Sequence, residues 1–474
     1  MELNLNKIQK VHFVGIGGIG ISAIARMMIG LGKEVSGQDM QSSEITKDLE
    51  NLGAKIMTGQ SYENIPESTD LIVYTIAIEY YDSNFFEKLK SQNIPIRSYP
   101  EMLGIISKDK YTIAVCGTHG KTTTTGMIAR ILVDAKKDPT VIIGSLIKIH
   151  KISTQQKEEN LSALPSLRGL RHGPNSSSFV SSENTIKTNF IKGESDLFVV
   201  EACEYRRSFL NINPNIVVIT NIEEDHLDYY KDIEDIINAF REFVEKVPED
   251  GFIVCDTNGK NISTVIKNVK CTVIDYMDFY DENLKLKVPG IHNKMDAAGA
   301  MAVASQLSVY KQDSIKFLSE FSGTWRRFEY KGKLESGALI YDDYAHHPTE
   351  IKATLQGFRE LYPKDDGWKI IVVFQPHLFS RTKLLLDEFA NSFFDADEVL
   401  ILPIYYARET DDGSVSSEIL SKKININEGI EKSQAFLDFQ SAEDAIRQKT
   451  LNEKEIIVTM GAGEAHKIGE NLFK

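Results

Sequence analysis

Residues 111–132 read YTIAVCGTHGKTTTTGMIARIL, an apolar run that stops at Gly117 and resumes, past a knot of Gly, Thr, His and Lys, as a helical pattern. Six apolar-rich residues, 111–116, suit a strand buried on both faces, and the stretch from Lys121 onward suits a helix packed against it. A loop of this composition between strand and helix cradles phosphate, because glycines let backbone N–H groups approach an anion at the helix N-terminus. Gly117, Thr118, His119, Gly120, Lys121, Thr122 and Thr123 are therefore candidate contacts for the phosphates of ATP. Lys121 supplies positive charge and the Thr122 hydroxyl a ligand for Mg²⁺. The longer spacing of this motif needs a glycine at position 115, where Val115 stands, so the match is to a shorter G-T-x-G-K-T form.

The strand-then-helix pattern repeats in both directions. A chain of 474 residues exceeds what one core organises and, at about 150 residues per domain, predicts about three domains. Three blocks each open with a short apolar strand and alternate strands with helical patterns, which predicts an α/β fold of parallel sheets covered by helices. The boundaries fall near Lys108 and Thr324, giving residues 1–108, 109–324 and 325–474. Strands are predicted at 111–116, 197–200, 216–220 and 252–255 in the second block, and at 339–341, 370–374, 399–403 and 456–460 in the third. Chemistry is expected where these strands end. Between residues 152 and 187 the periodicity gives way to Ser, Asn, Gln, Pro and Gly, which predicts a mobile surface insertion; a solvated loop fits it better than a lid.

Composition narrows the partners. Lys plus Arg number 54 against 68 for Asp plus Glu, a formal charge of −14, so the overall field repels nucleic acid and anionic membrane. A phosphate-bearing substrate must then meet local positive charge. Cys116, Cys203, Cys255 and Cys271 form no CxxC pair, which fits a reducing cytoplasm, and each is expected to be a buried small hydrophobe. Residues 11–32 are apolar enough to suggest a membrane or signal segment, but six glycines and Arg26 interrupt them. They read as strand, turn and helix.

In that first stretch Gly15, Gly17, Gly18 and Gly20 make G-x-G-x-x-G between strand and helix, and Asp39 lies nineteen residues beyond Gly20. Taken alone, this is a dinucleotide fingerprint with NAD as its default ligand and Asp39 on a ribose. The second block adds Glu201 at the end of an apolar strand in FVVEACEYRRSF, and Asn221, Asp225 and His226 after another in IVVITNIEEDHLDYY. Glu and His at neighbouring strand ends beside a phosphate loop suit a divalent metal, while Glu223, Glu224 and Asp225 read equally well as a cap on a following helix. His292 and Asn293, before an Ala-rich helix, offer an edge for adenine. The third block contributes Arg326 and Arg327 in WRRFE, Asp342, Asp343, Tyr344, His346 and His347 in YDDYAHHPTE, and His377 and Arg381 in FQPHLFSRT. Their density exceeds that of an ordinary surface charge run.

GIGGIG with SGQD, GTHGKTTTT, EACEYRRSF, TNIEEDHLDYY, PGIHN, RRFE, DDYAHHPTE and FQPHLFSRT, in this order, resemble the Mur ligase superfamily from about residue 11 to residue 463. The resemblance implies three α/β domains: a Rossmann-like unit holding UDP rather than NAD, a central ATPase unit of P-loop type, and a Rossmann-like C-terminal unit that closes on ATP and amino acid. It implies a cytoplasmic enzyme that joins L-alanine to the carboxylate of UDP-N-acetylmuramate with ATP and Mg²⁺ through an acyl phosphate, in peptidoglycan precursor synthesis. Lys121 would contact the ATP phosphates, Thr122 and Glu201 would serve Mg²⁺, and His226 a second metal position. Asn293 and His292 would read adenine, Arg327 approach the phosphates and Asp343 hold the ribose. Tyr344, His377 and Arg381 match positions near the amino acid and the transferred phosphate.

Two positions depart from the family pattern: Asp296 stands where a second Asn is common, and Leu378 where a polar or basic residue is. A relative that adds a ready-made tripeptide to the same nucleotide is the nearest alternative, and FQPHLFSRT favours L-alanine over it. An NAD-dependent oxidoreductase would leave GTHGKTT unexplained. A nucleotide-driven switch would hydrolyse ATP without any amino acid.

Overall fold

Each block builds its own sheet from short runs of Val, Ile and Leu, as expected of strands covered on both faces. The structure is a computed structural model and describes residues 3–150, 185–406 and 409–474. The first sheet comprises β1 (Lys10–Val14), β2 (Glu34–Asp39), β3 (Lys55–Thr58), β4 (Leu71–Tyr74) and β5 (Ile96–Ser98), all parallel, in the order β3-β2-β1-β4-β5. The order reverses beside β1, and the glycine loop leaves from that point, where α/β sheets open a crevice for ligands.

The second sheet comprises β6 (Tyr111–Cys116), β7 (Thr140–His150), β8 (Thr185–Ile191), β9 (Leu197–Glu201), β10 (Ile216–Ile219), β11 (Phe252–Cys255) and β12 (Thr272–Asp275). Its order is β12-β11-β10-β6-β9-β7-β8, parallel except for β7 against β8. Because β6 lies between β10 and β9, the phosphate loop, Glu201 and the residues after Ile219 emerge side by side. The third sheet comprises β13 (Glu329–Lys333), β14 (Leu339–Asp343), β15 (Lys369–Phe374), β16 (Glu398–Ile401), β17 (Ser433–Ala435) and β18 (Glu455–Met460). Its order is β13-β14-β18-β15-β16-β17, with only β13 antiparallel.

The three units share cores. One apolar cluster joins a face of the second sheet, through helices Lys121–Asp134 and Ile291–Gln306, to Phe328, Phe358 and the third sheet. Another joins its opposite face to helix Ile19–Gly30 and the first sheet. Burial of this extent, at about 25 cal/mol per Å² of apolar surface, drives the units together and fixes how the loops face one another.

Four expectations change. Residues 185–187, assigned to the insertion, belong to β8, and the rest of that segment, 152–184, lies outside the described residues. Cys203 is exposed rather than buried, whereas the other three cysteines are buried. Asp225 caps no helix: the next one, Ile233–Val244, starts eight residues later and is capped by Asp232, because 227–229 form only a turn. His292 and Asn293 lie in the first turn of helix Ile291–Gln306 rather than before it. No described helix is long and apolar enough to cross a membrane.

Candidate active site

The phosphate loop is held open by its neighbour strand. Thr118 N donates to the Asn221 carbonyl (3.1 Å), His119 N to Asn221 Oδ1 (2.9 Å), and Thr220 Oγ1 to the His119 carbonyl (2.5 Å). Gly117 has φ +134°, a conformation closed to L side chains, and Gly120, at φ +81°, lies where a Cβ would approach Asp296 Oδ1 to 2.5 Å. Lys121 Nζ folds back onto the loop, donating to the carbonyls of Gly117 (2.5 Å) and Thr118 (3.0 Å) and to Glu204 Oε1 (3.0 Å). Burial opposes its charge, but the acidic groups around it, Glu204 foremost and Glu201 with it, together outweigh burial and raise its pKa.

Thr122 Oγ1 donates to Glu201 Oε1 (3.1 Å), and Gly144 N donates to Glu201 Oε2 (2.8 Å), so the end of β9 delivers a fixed carboxylate to the loop. A hydroxyl and a carboxylate at this separation are the hard oxygen donors that Mg²⁺ prefers. His226, at φ +56°, turns its Nε2 toward Glu204 Oε1 (3.7 Å) and Asp225 Oδ2 (3.8 Å) and packs its ring on Tyr205. Burial lowers its pKa, which leaves a neutral imidazole able to ligate.

Beside the loop lies a cavity of about 270 Å³, lined by His119, Thr122, His292, Asn293 and Asp296 from the second unit and by Arg327, Asp343 and Glu350 from the third. Burial holds His292 neutral, down to about 4, and its Nδ1 is a buried atom with no hydrogen-bond partner. Asn293 Nδ2 donates to the Pro289 carbonyl (2.5 Å). Asp343 accepts from Phe328 N (2.7 Å) and Ala345 N (2.8 Å), and burial pushes it up to about 6 against the pull of Arg327. Arg327 reaches Glu350 Oε1 at 3.5 Å and lies over the Tyr344 ring.

Asp296 accepts from Thr124 Oγ1 (3.0 Å), and burial pushes it up to about 7, with Thr124 and Arg327 opposing. Its folded value exceeds the ordinary 3.8, so the fold prefers the protonated acid. Stability is therefore lost as pH rises from about 4 to about 7 and stays lost above that. In the nucleotide-free protein, Asp296→Asn is expected to be stabilising by about 3 kcal/mol at about pH 8, with the gain shrinking toward pH 5. Urea denaturation at the two pH values measures it, and a gain independent of pH would refute the assignment.

The residues of FQPHLFSRT reach the side of the loop on which His226 lies. Arg381 Nη2 donates to Asp225 Oδ1 (2.9 Å), both side chains about nine-tenths buried, and Arg381 Nη1 faces His377 Nδ1 (3.3 Å). The Arg381 charge and the His226 backbone N–H, which donates to Oδ1 (2.7 Å), hold the Asp225 carboxyl well below the usual range despite burial. A second cavity, about 530 Å³, opens here between Glu224, Asp225, His226, Asp228, Leu378 and Arg381. Leu378, the departure noted above, has φ +72° and lines it. Arg326, by contrast, does not face either cavity: it is buried, pairs with Asp342 (2.8 Å) and donates to the carbonyls of Gly461 (2.6 Å) and Gly463 (3.0 Å).

The glycine loop of the first unit carries Gly15 at φ +78°, and Gly17 N donates to Asp39 Oδ2 (2.8 Å), so one Asp39 oxygen holds the loop itself. At Gly20 a Cβ would approach Tyr99 Cζ to 2.7 Å, and at Gly17 it would approach Asp39. Close approach of backbone to neighbour, as at a pyrophosphate site, requires these glycines.

Family models described as Mur ligase family, catalytic domain; Mur ligase middle domain; and Mur ligase, glutamate ligase domain match residues 10–111, 115–323 and 326–463. The chain is 39% identical over 503 residues to the UDP-N-acetylmuramate--L-alanine ligase of Acetivibrio thermocellus, covering 100% of this chain and 97% of that one. The chain belongs to the Mur ligase family. This Mur ligase is also 39% identical to the enzyme of the same name from Clostridium kluyveri, over 99% of both chains. Among solved structures, its fold matches the UDP-N-acetylmuramate-alanine ligase of Thermotoga maritima with a TM-score of 0.72 at 25% identity, over 98% of both chains. A murein peptide ligase from Psychrobacter arcticus shares the fold with a TM-score of 0.66.

Three carboxylates of this Mur ligase were not read as site residues from the sequence, Glu223 only as part of a helix cap. Glu204 pairs with Lys121, Glu223 lies beside His119, and Glu350 accepts from His346 N (3.0 Å) while facing His119 Nδ1 (3.2 Å) and Arg327. Burial opposes a charge on His119, but Glu223 and Glu350 outweigh it and push it up to about 9. Glu204, three residues past Glu201 in a motif already quoted, was the one most open to detection. Arg206 was missed too: at φ +53° it stacks on Tyr80 of the first unit, 3.7 Å from the ring centre.

Proposed function

We infer that this chain joins L-alanine to the lactyl carboxylate of UDP-N-acetylmuramate, with hydrolysis of ATP to ADP and phosphate. The observation that carries this is full-length identity of 39% to curated enzymes of that name, in a chain that also presents a lysine-bearing phosphate loop beside a fixed carboxylate. Division near Lys108 and Thr324 gives a UDP-binding unit, an ATP-binding unit and a unit that closes on ATP and amino acid. ATP as co-substrate assigns the reaction to the cytoplasm, at the first amino-acid addition of peptidoglycan precursor synthesis.

A carboxylate does not acylate an amine at neutral pH, because oxide is too poor a leaving group. Attack of the muramate carboxylate on the γ-phosphorus releases ADP and leaves an acyl phosphate, whose phosphate is a good leaving group. Lys121 turns from its loop carbonyls to the γ-phosphate, and Arg327 leaves Glu350 to share the charge of the transition state. Thr122 and Glu201 would hold Mg²⁺, and His226 a second metal position, and a bound ion there would neutralise phosphate charge. Backbone N–H groups from Thr118 to Lys121 hold the β-phosphate, while His292 and Asn293 take the adenine and Asp343 the ribose. Gly15, Gly17, Gly18 and Gly20, with Asp39, hold the UDP moiety.

The neutral amine of L-alanine then attacks the acyl carbon, a tetrahedral intermediate forms, and inorganic phosphate departs. Arg381, anchored by Asp225 beside His377, faces the amino acid's carboxylate, with Tyr344 also on the amino-acid side. Arg381→Met is expected to raise KM for L-alanine by about tenfold or more, the worth of one charge-assisted hydrogen bond, with KM for ATP little changed. Steady-state titration of each substrate checks it, and an equal rise in both constants would refute the assignment. Packing of the third unit over the loop excludes water from the acyl phosphate.

Phosphate release from ATP with Mg²⁺ and UDP-N-acetylmuramate, compared across L-alanine, glycine, L-serine and the L-Ala-D-Glu-diaminopimelate tripeptide, tests the reading. Dependence on L-alanine with the amide confirmed by mass supports it; dependence on tripeptide alone assigns the recycling reaction, and release without any amine rejects ligation. Hydroxylamine is expected to trap an acyl hydroxamate.

A further inference from the structure

His119, Glu223 and His347 bring together ligand atoms that the reaction above does not use. His119 comes from the phosphate loop, Glu223 from the segment after β10, and His347 from the N-cap of helix Pro348–Leu361 in the third unit. One ligand atom of each lies within 4.8 Å of the other two. The two imidazole rings face each other with centres 4.8 Å apart.

The second observation is the state of the ring nitrogens. His119 Nδ1 is held by Glu350 Oε1 at 3.2 Å, while its Nε2 is buried without a hydrogen-bond partner, 3.6 Å from Glu223 Oε2. His347, 6% exposed, also has a buried Nε2 with no partner. An imidazole fixed by a carboxylate through one nitrogen and bare at the other is how metal-binding histidines are oriented. Two imidazoles and a carboxylate suit Zn²⁺ and its neighbours in the first transition row, whereas Mg²⁺ prefers a set of oxygen ligands. Tetrahedral Zn²⁺ sets ligand atoms about 3.4 Å apart, so the trio needs to draw in by about 1 Å. The negative pair Glu223 and Glu350, which favours a proton on His119, favours a cation in its place.

We propose that His119, Glu223 and His347 bind a divalent ion of the Zn²⁺ class across the seam between the central and C-terminal units, apart from the Mg²⁺ position at Thr122 and Glu201. Its ligands come from both units, so the bound ion ties them together and slows the opening that product release requires.

Co²⁺ added to the full-length protein in excess Mg²⁺ serves as the spectroscopic probe. The expected result is one equivalent of Co²⁺ with the visible absorption of a four- or five-coordinate ion, displaced by Zn²⁺, and at least about tenfold weaker in both His347→Gln and Glu223→Gln. Glu223 has a side chain 40% exposed, so E223Q keeps the test decisive if H347Q, which also loses the helix cap, unfolds. Absence of the absorption in the parent protein, or its persistence at unchanged affinity in E223Q, overturns the proposal.

Discussion

Replacing Lys121 with methionine is expected to lower kcat for phosphate release by about a thousandfold or more, since a charge aimed at the transferring phosphoryl group acts in a buried, low-dielectric site. A second consequence follows from its partner. Glu204 is 3% exposed and Lys121 Nζ lies 3.0 Å from it, so K121M leaves a buried carboxylate whose remaining ion-pair contact among the described residues is His226, 3.7 Å away. Breaking a buried pair in this way costs about 3 kcal/mol. The double variant K121M/E204Q, which removes both charges, is expected to recover most of that stability and none of the turnover. Chemical denaturation and phosphate release on the same preparations separate the two effects. Near-normal turnover in K121M would reject this loop as the site of phosphoryl transfer.

Gly117→Ala is expected to be nearly as damaging for a different reason. A Cβ at position 117 falls on Thr220 Oγ1, and φ +134° is closed to an alanine whatever the space. Strain plus overlap costs about 3 kcal/mol, and the relief available is a shift of the loop away from the β10 end, which scatters the N–H groups that hold phosphate. Loss of detectable binding of a fluorescent ATP analogue, with a lower denaturation midpoint, is the expected readout. Thr220→Ala in the same chain removes the overlap but not the backbone strain, so G117A/T220A should regain only part of the stability. Full recovery would show that the conformation of Gly117 is not required.

The loop could be read from the letters because its requirements are local. A strand of apolar residues, glycines where backbone must take positive φ or come close to a neighbour, and Lys and Thr at the helix start all lie within a dozen residues. The same holds for Gly15 to Gly20 and for Glu201 at a strand end. The capping alternative for Asp225 failed because a charge run before a helical pattern leaves open which residue starts the helix, and Asp232 takes the cap by accepting a hydrogen bond from Asp235 N. Cys203 was expected to be buried on residue type, yet it sits just past β9, where the chain turns outward.

By itself, then, the sequence determined the three α/β blocks, the strand ends at which chemistry gathers, the two glycine loops and the kinship that their order expresses. It did so because periodicity, turn residues and motif spacing are written into neighbouring positions. Only the tertiary structure decided which distant groups meet. Glu350 joins His119 across 231 positions, and Arg381 finds Asp225 across 156. Those contacts exist because apolar faces of separate sheets pack into shared cores and so bring the ends of their strands together, and no local pattern of residues carries that information.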